Sequence, residues 1–123
     1  MFPVSIPNLA APPVTLNVLQ NSKSVNYTTV LADAGRHILH PSSDVTARTF
    51  TIPSHADVAY PIGTALTFVN QFGAGVITIA INTNIMRLAG STLSGSRTLS
   101  ANGIATVLKL SETEWMINGS VLA

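Results

Sequence analysis

Residues 50–81 run through three apolar stretches, rich in β-branched side chains, divided by Pro61-Ile62-Gly63 and Gly73-Ala74-Gly75. Side chains alternate in the first of them, where Phe50 and Ile52 point one way and Thr49 and Thr51 the other. A period of two is the mark of a strand with one buried face. The same signal predicts strands over residues 14–19, 25–31, 36–39, 46–52, 64–69, 75–81 and 85–88. Asn102-Gly103 is a type I′ hairpin signal between strands at 97–101 and 104–110. A last strand at 114–117 precedes a second Asn-Gly. No segment carries an amphipathic helical period. The expected fold is all-β, an antiparallel β-sandwich or barrel of about eight to ten short strands. Its expected core is Phe50, Ile52, Leu66, Phe68, Ile77, Ile79, Ile81, Ile104, Leu108, Leu110, Trp115 and Ile117. Trp115, the single tryptophan, reads as a core plug for the last strand rather than a sugar-stacking platform.

The chain before residue 14 follows a different rule. Pro3, Pro7, Pro12 and Pro13 interrupt Phe2, Val4, Ile6 and Leu9. Proline fixes its own φ, biases the preceding residue toward extended backbone and offers no hydrogen-bond donor to a sheet. An extended N-terminal arm is expected, with 1–24 as arm and linker and 25–123 as the β domain. Free apolar side chains on such an arm call for a surface, so Phe2, Val4, Ile6 and Leu9 are the expected partner-binding residues. The alternative is an edge strand folded onto its own domain.

Charge sharpens this picture. Charged residues make up 9% of the 123, against about 25% in an ordinary soluble domain. Serine, threonine and asparagine stand in their place, leaving a polar but nearly uncharged surface with little to keep copies apart. That surface is expected to be covered by copies of the chain or by another protein. The formal net charge is +1 and the basic residues are scattered singly, so no nucleic-acid partner is expected. Without cysteine there are no disulfides or thiolate metal sites. The N-terminus has no basic region and its prolines break any apolar run, so it does not read as a secretory signal. No apolar run approaches the length needed to cross a bilayer, and no membrane partner is expected. The glycosylation sequons at Asn26 and Asn118 are read as chance matches.

Candidate chemistry is sparse. His37 and His40 flank Ile38-Leu39, with Asp33 and Asp44 near in sequence. Residues i and i+3 of a strand point to opposite faces, so a shared metal ion would need a turn to reorient them. His55 with Asp57 is a weaker pair. No Gly-x-Ser-x-Gly elbow, phosphate-cradling loop or paired catalytic carboxylate occurs. Thr92, Ser94, Ser96 and Ser100 form a polar loop that could bind a glycan, pack on a neighbour or simply be solvated. No enzyme, cofactor or metal is expected.

Several motifs carry a resemblance. They are Tyr27-Thr28-Thr29-Val30-Leu31 with Ala32-Asp33-Ala34-Gly35, then Thr49-Phe50-Thr51-Ile52-Pro53 and Pro61-Ile62-Gly63-Thr64. Gly73-Ala74-Gly75, Val76-Ile77-Thr78-Ile79, Thr106-Val107-Leu108-Lys109, Glu114-Trp115 and Gly119 complete the set. Across residues 25–123 this pattern resembles the small β-structured modules of tailed-bacteriophage virion proteins. Those occur as capsid decoration (cement) proteins and as parts of head or tail fibres. The resemblance implies a virion component, commonly a homotrimer, with no catalytic residues to transfer. A short chain with an apolar arm and no repetitive shaft is expected to be a decoration protein. It would bind the major capsid protein on the capsid exterior and stabilise the head. The alternative is a fibre or receptor-binding module that takes host surface glycans.

Overall fold

The computed structural model describes residues 17–123, and among them ten strands, one 3₁₀ turn and no α-helix. The strands are β1 (Gln20–Ser22), β2 (Tyr27–Thr28), β3 (His37–His40), β4 (Arg48–Ile52) and β5 (Ala65–Asn70). There follow β6 (Ile77–Ile81), β7 (Ile85–Leu88), β8 (Arg97–Leu99), β9 (Gly103–Lys109) and β10 (Glu114–Gly119). They form a six-stranded sheet in the order β1-β3-β5-β9-β10-β7 and a four-stranded sheet in the order β2-β4-β6-β8. The protein is therefore mostly β, built from two mixed sheets.

The expected antiparallel pattern is corrected. Pairs β1/β3, β3/β5, β2/β4, β4/β6 and β7/β10 are parallel, while β5/β9, β9/β10 and β6/β8 are antiparallel. A parallel neighbour cannot be reached by a tight turn and needs a crossover of about a dozen residues. Here each crossover early in the chain contains a strand of the other sheet. From β1 to β9 the chain alternates sheets at every step, so turn signals that suggest hairpins instead carry it across. Only β9 and β10 follow one another within a single sheet.

Three further expectations change. Residues 25–31 hold only β2, after which Leu31–Asp33 tightens into a 3₁₀ turn because the Asp33 carboxylate accepts the Val30 N–H at 2.9 Å. The Asn102-Gly103 hairpin does not form, since β8 and β9 belong to different sheets. Of that pair only Asn102 takes a positive φ (64°), and a type I′ turn requires two. The strand expected at 14–19 lies partly outside the described residues, and β1 at Gln20–Ser22 falls within the segment read as arm and linker.

Both sheets contribute to one buried cluster. Phe50, Ile52, Ile77, Ile79 and Leu99 come from the smaller sheet, and Ile38, Leu66, Phe68, Met86, Val107, Trp115 and Ile117 from the larger. Trp115 is fully buried and meets Tyr60 edge-on at 5.6 Å, as a core plug should. Ile81 is only partly buried, against the edge of the cluster. Ile104, Leu108 and Leu110, expected inside, are exposed, because β9 turns Gly103, Ala105, Val107 and Lys109 inward. A shift of one residue in a period-two strand exchanges its faces completely.

Gly75 marks the tightest approach between loops. A Cβ there would stand 2.6 Å from the Thr46 carbonyl carbon and oxygen, which are backbone and cannot swing away. Gly75→Ala is expected to lower the free energy of unfolding by about 1–3 kcal/mol, read as a lower urea midpoint at unchanged slope.

Candidate functional site

Strand β3 separates the two histidines as its pleat requires. His37 is half-buried on the outer face and its Nε2 lies 3.1 Å from Gln20 Nε2, whereas His40 is buried on the inner face. They cannot chelate one ion together. Among the described residues no three His, Asp or Glu side chains converge as a metal cluster would.

His40 anchors the first polar constellation. Its Nδ1 lies 2.9 Å from Asn70 Oδ1 and its Nε2 2.8 Å from Asp44 Oδ2. The Asn70 amide nitrogen donates to the carbonyls of Gly75 and Leu99, so its oxygen is the acceptor facing the ring. Arg48 donates to Asp44 through Nε at 2.8 Å and Nη2 at 3.2 Å. Arg48, then His40, hold the Asp44 carboxyl well below the usual carboxylate range, and Asp44 raises Arg48 in return. Asp44 thus stabilises the fold above its unfolded pKa, and that support fades as pH falls toward the lower folded value. The group ties β3, β4 and β5 together, and both ring nitrogens of His40 and both oxygens of Asp44 have internal partners.

Tyr27, Asp33 and Asn21 form the second constellation. The Tyr27 hydroxyl donates to Asp33 Oδ2 at 2.6 Å, and Asn21 Nδ2 donates to Asp33 Oδ1 at 2.9 Å. Burial first, then the hydrogen bond and charge of Asp33, push the Tyr27 phenol up to about 12. Tyr60, whose hydroxyl donates to the Val30 carbonyl at 2.7 Å, is also raised by its burial. These are the chain's two tyrosines.

Sequence reasoning missed the third group. Lys109 is fully buried on the inner face of β9, with Nζ 2.7 Å from His55 Nδ1 and 5.5 Å from the centre of the Trp115 ring. Burial lowers the Lys109 pKa, partly opposed by the charge of Glu112. His55 turns to Lys109, with Glu112 4.0 Å from its other nitrogen, and not to Asp57. The one available signal was the alternation of small residues at Gly103 and Ala105 with larger neighbours. The arrangement buries an aliphatic stem and caps its amine.

In the polar loop, Ser96 Oγ accepts the Ile81 N–H at 3.1 Å, and the Ser94 and Ser96 carbonyls accept from Arg97. Those atoms close the loop onto its own sheet. Phe2, Val4, Ile6 and Leu9 lie outside the described residues.

The two outer sheet faces differ sharply. The four-stranded sheet presents Thr28, Thr49, Thr51, Thr78, Ala80 and Thr98. On the six-stranded sheet, register aligns Leu39, Val69 and Ile104 in one row and Ala65, Leu108 and Met116 in another. Between them Thr67 and Thr106 meet through their hydroxyls at 3.1 Å. Two shallow depressions of about 290 Å³ each lie on or beside this face and share Val69 and Ile104, with Val18 and Phe72 at their margins. The hydrogen bonds of the fold leave the aliphatic rows of this face without a partner.

The unfolded chain is expected to ionise both tyrosines near pH 10, whereas in the folded protein Tyr27 ionises at about 12 and Tyr60 later than in the unfolded chain. The sign follows from raised folded pKa values: both tyrosines support the fold below pH 10, and Tyr27 ceases to as pH climbs toward 12. A native protein with as much tyrosinate absorbance at pH 10 as the unfolded chain would contradict both environments. Lys109→Met is expected to equal or exceed the wild type by up to about 2 kcal/mol in urea unfolding, since it keeps the volume and removes a buried amine. Lys109→Ala leaves a cavity against Trp115 and is expected to fall below it.

No protein-family model matches this chain, and neither does a characterised protein or a solved structure.

Proposed function

We propose that this protein is a non-enzymatic virion structural protein, a capsid decoration protein that self-associates and clamps the major capsid protein from the capsid exterior. The observation that carries the reading is the aliphatic outer face of the six-stranded sheet in a chain with only 9% charged residues. A protein that circulates alone is poorly served by such a surface, and one held in a lattice is well served. The polar constellations of the described residues support the same reading, because their hydrogen bonds lock strands and loops together. Two sheets sharing one core fit a β-sandwich better than a barrel, since each keeps its own order and edges.

A homotrimer is the assembly we favour, by the resemblance of residues 25–123 to phage virion modules. In this reading the apolar residues Phe2, Val4, Ile6 and Leu9 cross to a neighbouring subunit or to the capsid. Deleting residues 1–13 is expected to leave a folded β domain that no longer co-sediments with capsids. Undiminished co-sedimentation of that truncation would sink the proposal. The second reading, a fibre or receptor-binding module, rests on the polar loop at Thr92, Ser94, Ser96 and Ser100, and predicts affinity for host surface polysaccharide on a glycan array.

A further inference from the structure

The two sheets share a core, yet their exteriors are built from different chemistry. A solvated sheet exterior needs polar side chains, and threonine supplies them on the four-stranded sheet while keeping the β-branched shape that strands favour. The six-stranded sheet has such cover only in its middle row, where Thr67 meets Thr106, and carries an aliphatic row on either side. Ile104 remains 50% exposed, Leu108 43% and Met116 38% on the adjacent strands β9 and β10, with Ile104 in register with Val69 and Leu108 in register with Met116. Scattered exposed aliphatics are ordinary on any protein, but aligned rows on one face are a patch.

We propose that this outer face of the six-stranded sheet is the surface through which copies of the chain associate. The inference rests on the reading of a self-assembling protein and names where it self-assembles. Charge argues for a second copy as the occupant. The face carries no ionised group in its centre; Arg87 and Glu114 pair at 3.1 Å along the β7 edge, and His37 with Gln20 marks the β1 edge. A neutral face can pack against the neighbouring copies around a three-fold axis without repulsion, whereas a partner with a charged surface would leave its charges uncompensated. Two aliphatic rows flanking a self-paired Thr67–Thr106 contact, with the charged groups at the edges, also match the low charge at the core of protein interfaces and their polar rim.

Size points the same way. Six strands spaced about 4.8 Å apart, with central strands rising about 3.3 Å per residue, give a plan area of roughly 500 Å². The relief of the side chains, together with the margins at Val18 and Phe72, brings this toward the ~800 Å² per partner of a standard interface. Nothing on the threonine face offers a comparable gain.

The absence of cysteine makes the test direct. The full chain is measured for mass in solution, then compared with Ile104→Lys and with Thr78→Lys on the opposite face as control. The expected result is a wild type at a multiple of 12.9 kDa, Ile104→Lys at 12.9 kDa, and Thr78→Lys unchanged from wild type. Circular dichroism checks that each variant is folded. Should Ile104→Lys fail to fold, Ile104→Cys and Thr78→Cys replace it, with mild oxidation expected to link copies through position 104 and not through position 78. A monomeric wild type overturns the proposal. So does an oligomer that survives a folded Ile104→Lys, or linkage through position 78 alone. If the wild type is monomeric and position 104 reacts with a thiol reagent only after residues 1–13 are removed, the occupant is the chain's own N-terminal segment and the proposal fails. Capsid co-sedimentation separates the two readings: an oligomer that ignores capsids sinks the decoration function and leaves the interface standing.

Discussion

Strand β9 runs between β5 and β10 at the middle of the larger sheet, and its register fixes what both faces of that sheet are made of. Gly103, Ala105 and Val107 turn inward, opposite a core already filled by Phe50, Phe68, Trp115 and Tyr60. The other register would send Ile104, Thr106, Leu108 and Leu110 into that space. Overpacking of this kind costs about 1–3 kcal/mol per site, and burying the Thr106 hydroxyl would add to it. Gly119 on β10 belongs to the same constraint, since a Cβ there would run into Ala105. Small residues inside and large ones outside follow from the bulky aromatics packed around β9, with Phe68 and Trp115 on the strands beside it and Phe50 on the other sheet.

Two consequences follow from that register. Lys109 comes inside with the small residues, its stem beside Trp115 and its amine on His55, which fastens the loop after β4 to the end of β9. The aliphatic residues go outside, where β5 and β10 extend them into rows. Neither feature is chemistry of the catalytic kind. The lysine is a tether with a lowered pKa, and the rows are exposed aliphatic surface.

The alternation between sheets explains why the polar constellations sit where they do. Every crossover carries the chain around the end of the core, and these turns must be held without helices. Asp44 with His40, Arg48 and Asn70 closes one of them; Asp33 with Tyr27 and Asn21 closes another. Each constellation joins strands of both sheets, so Asp33, Asp44 and Arg48 serve to fasten the winding. An outer surface poor in charge is the result, and it suits a subunit surrounded by neighbours.

The sequence by itself determined which segments become strands, because a period of two in β-branched residues needs no tertiary information to read. The strands predicted at 46–52, 64–69, 75–81 and 85–88 all appear within a residue or two of their places, and Phe50, Ile52, Leu66, Phe68, Ile77, Ile79, Trp115 and Ile117 are buried as their patterns require. Pairing was not legible: turn residues report that the chain bends, not which sheet it bends into, and parallel partners lie far apart in sequence. In β9 both faces are plausible cores, with Ile104, Leu108 and Leu110 on one side and Ala105 and Val107 on the other. Local pattern favours the larger set. The aromatics packed beside and across from β9 leave room only for the smaller, and that choice, made by volume in three dimensions, buried the lysine and turned the aliphatic rows outward.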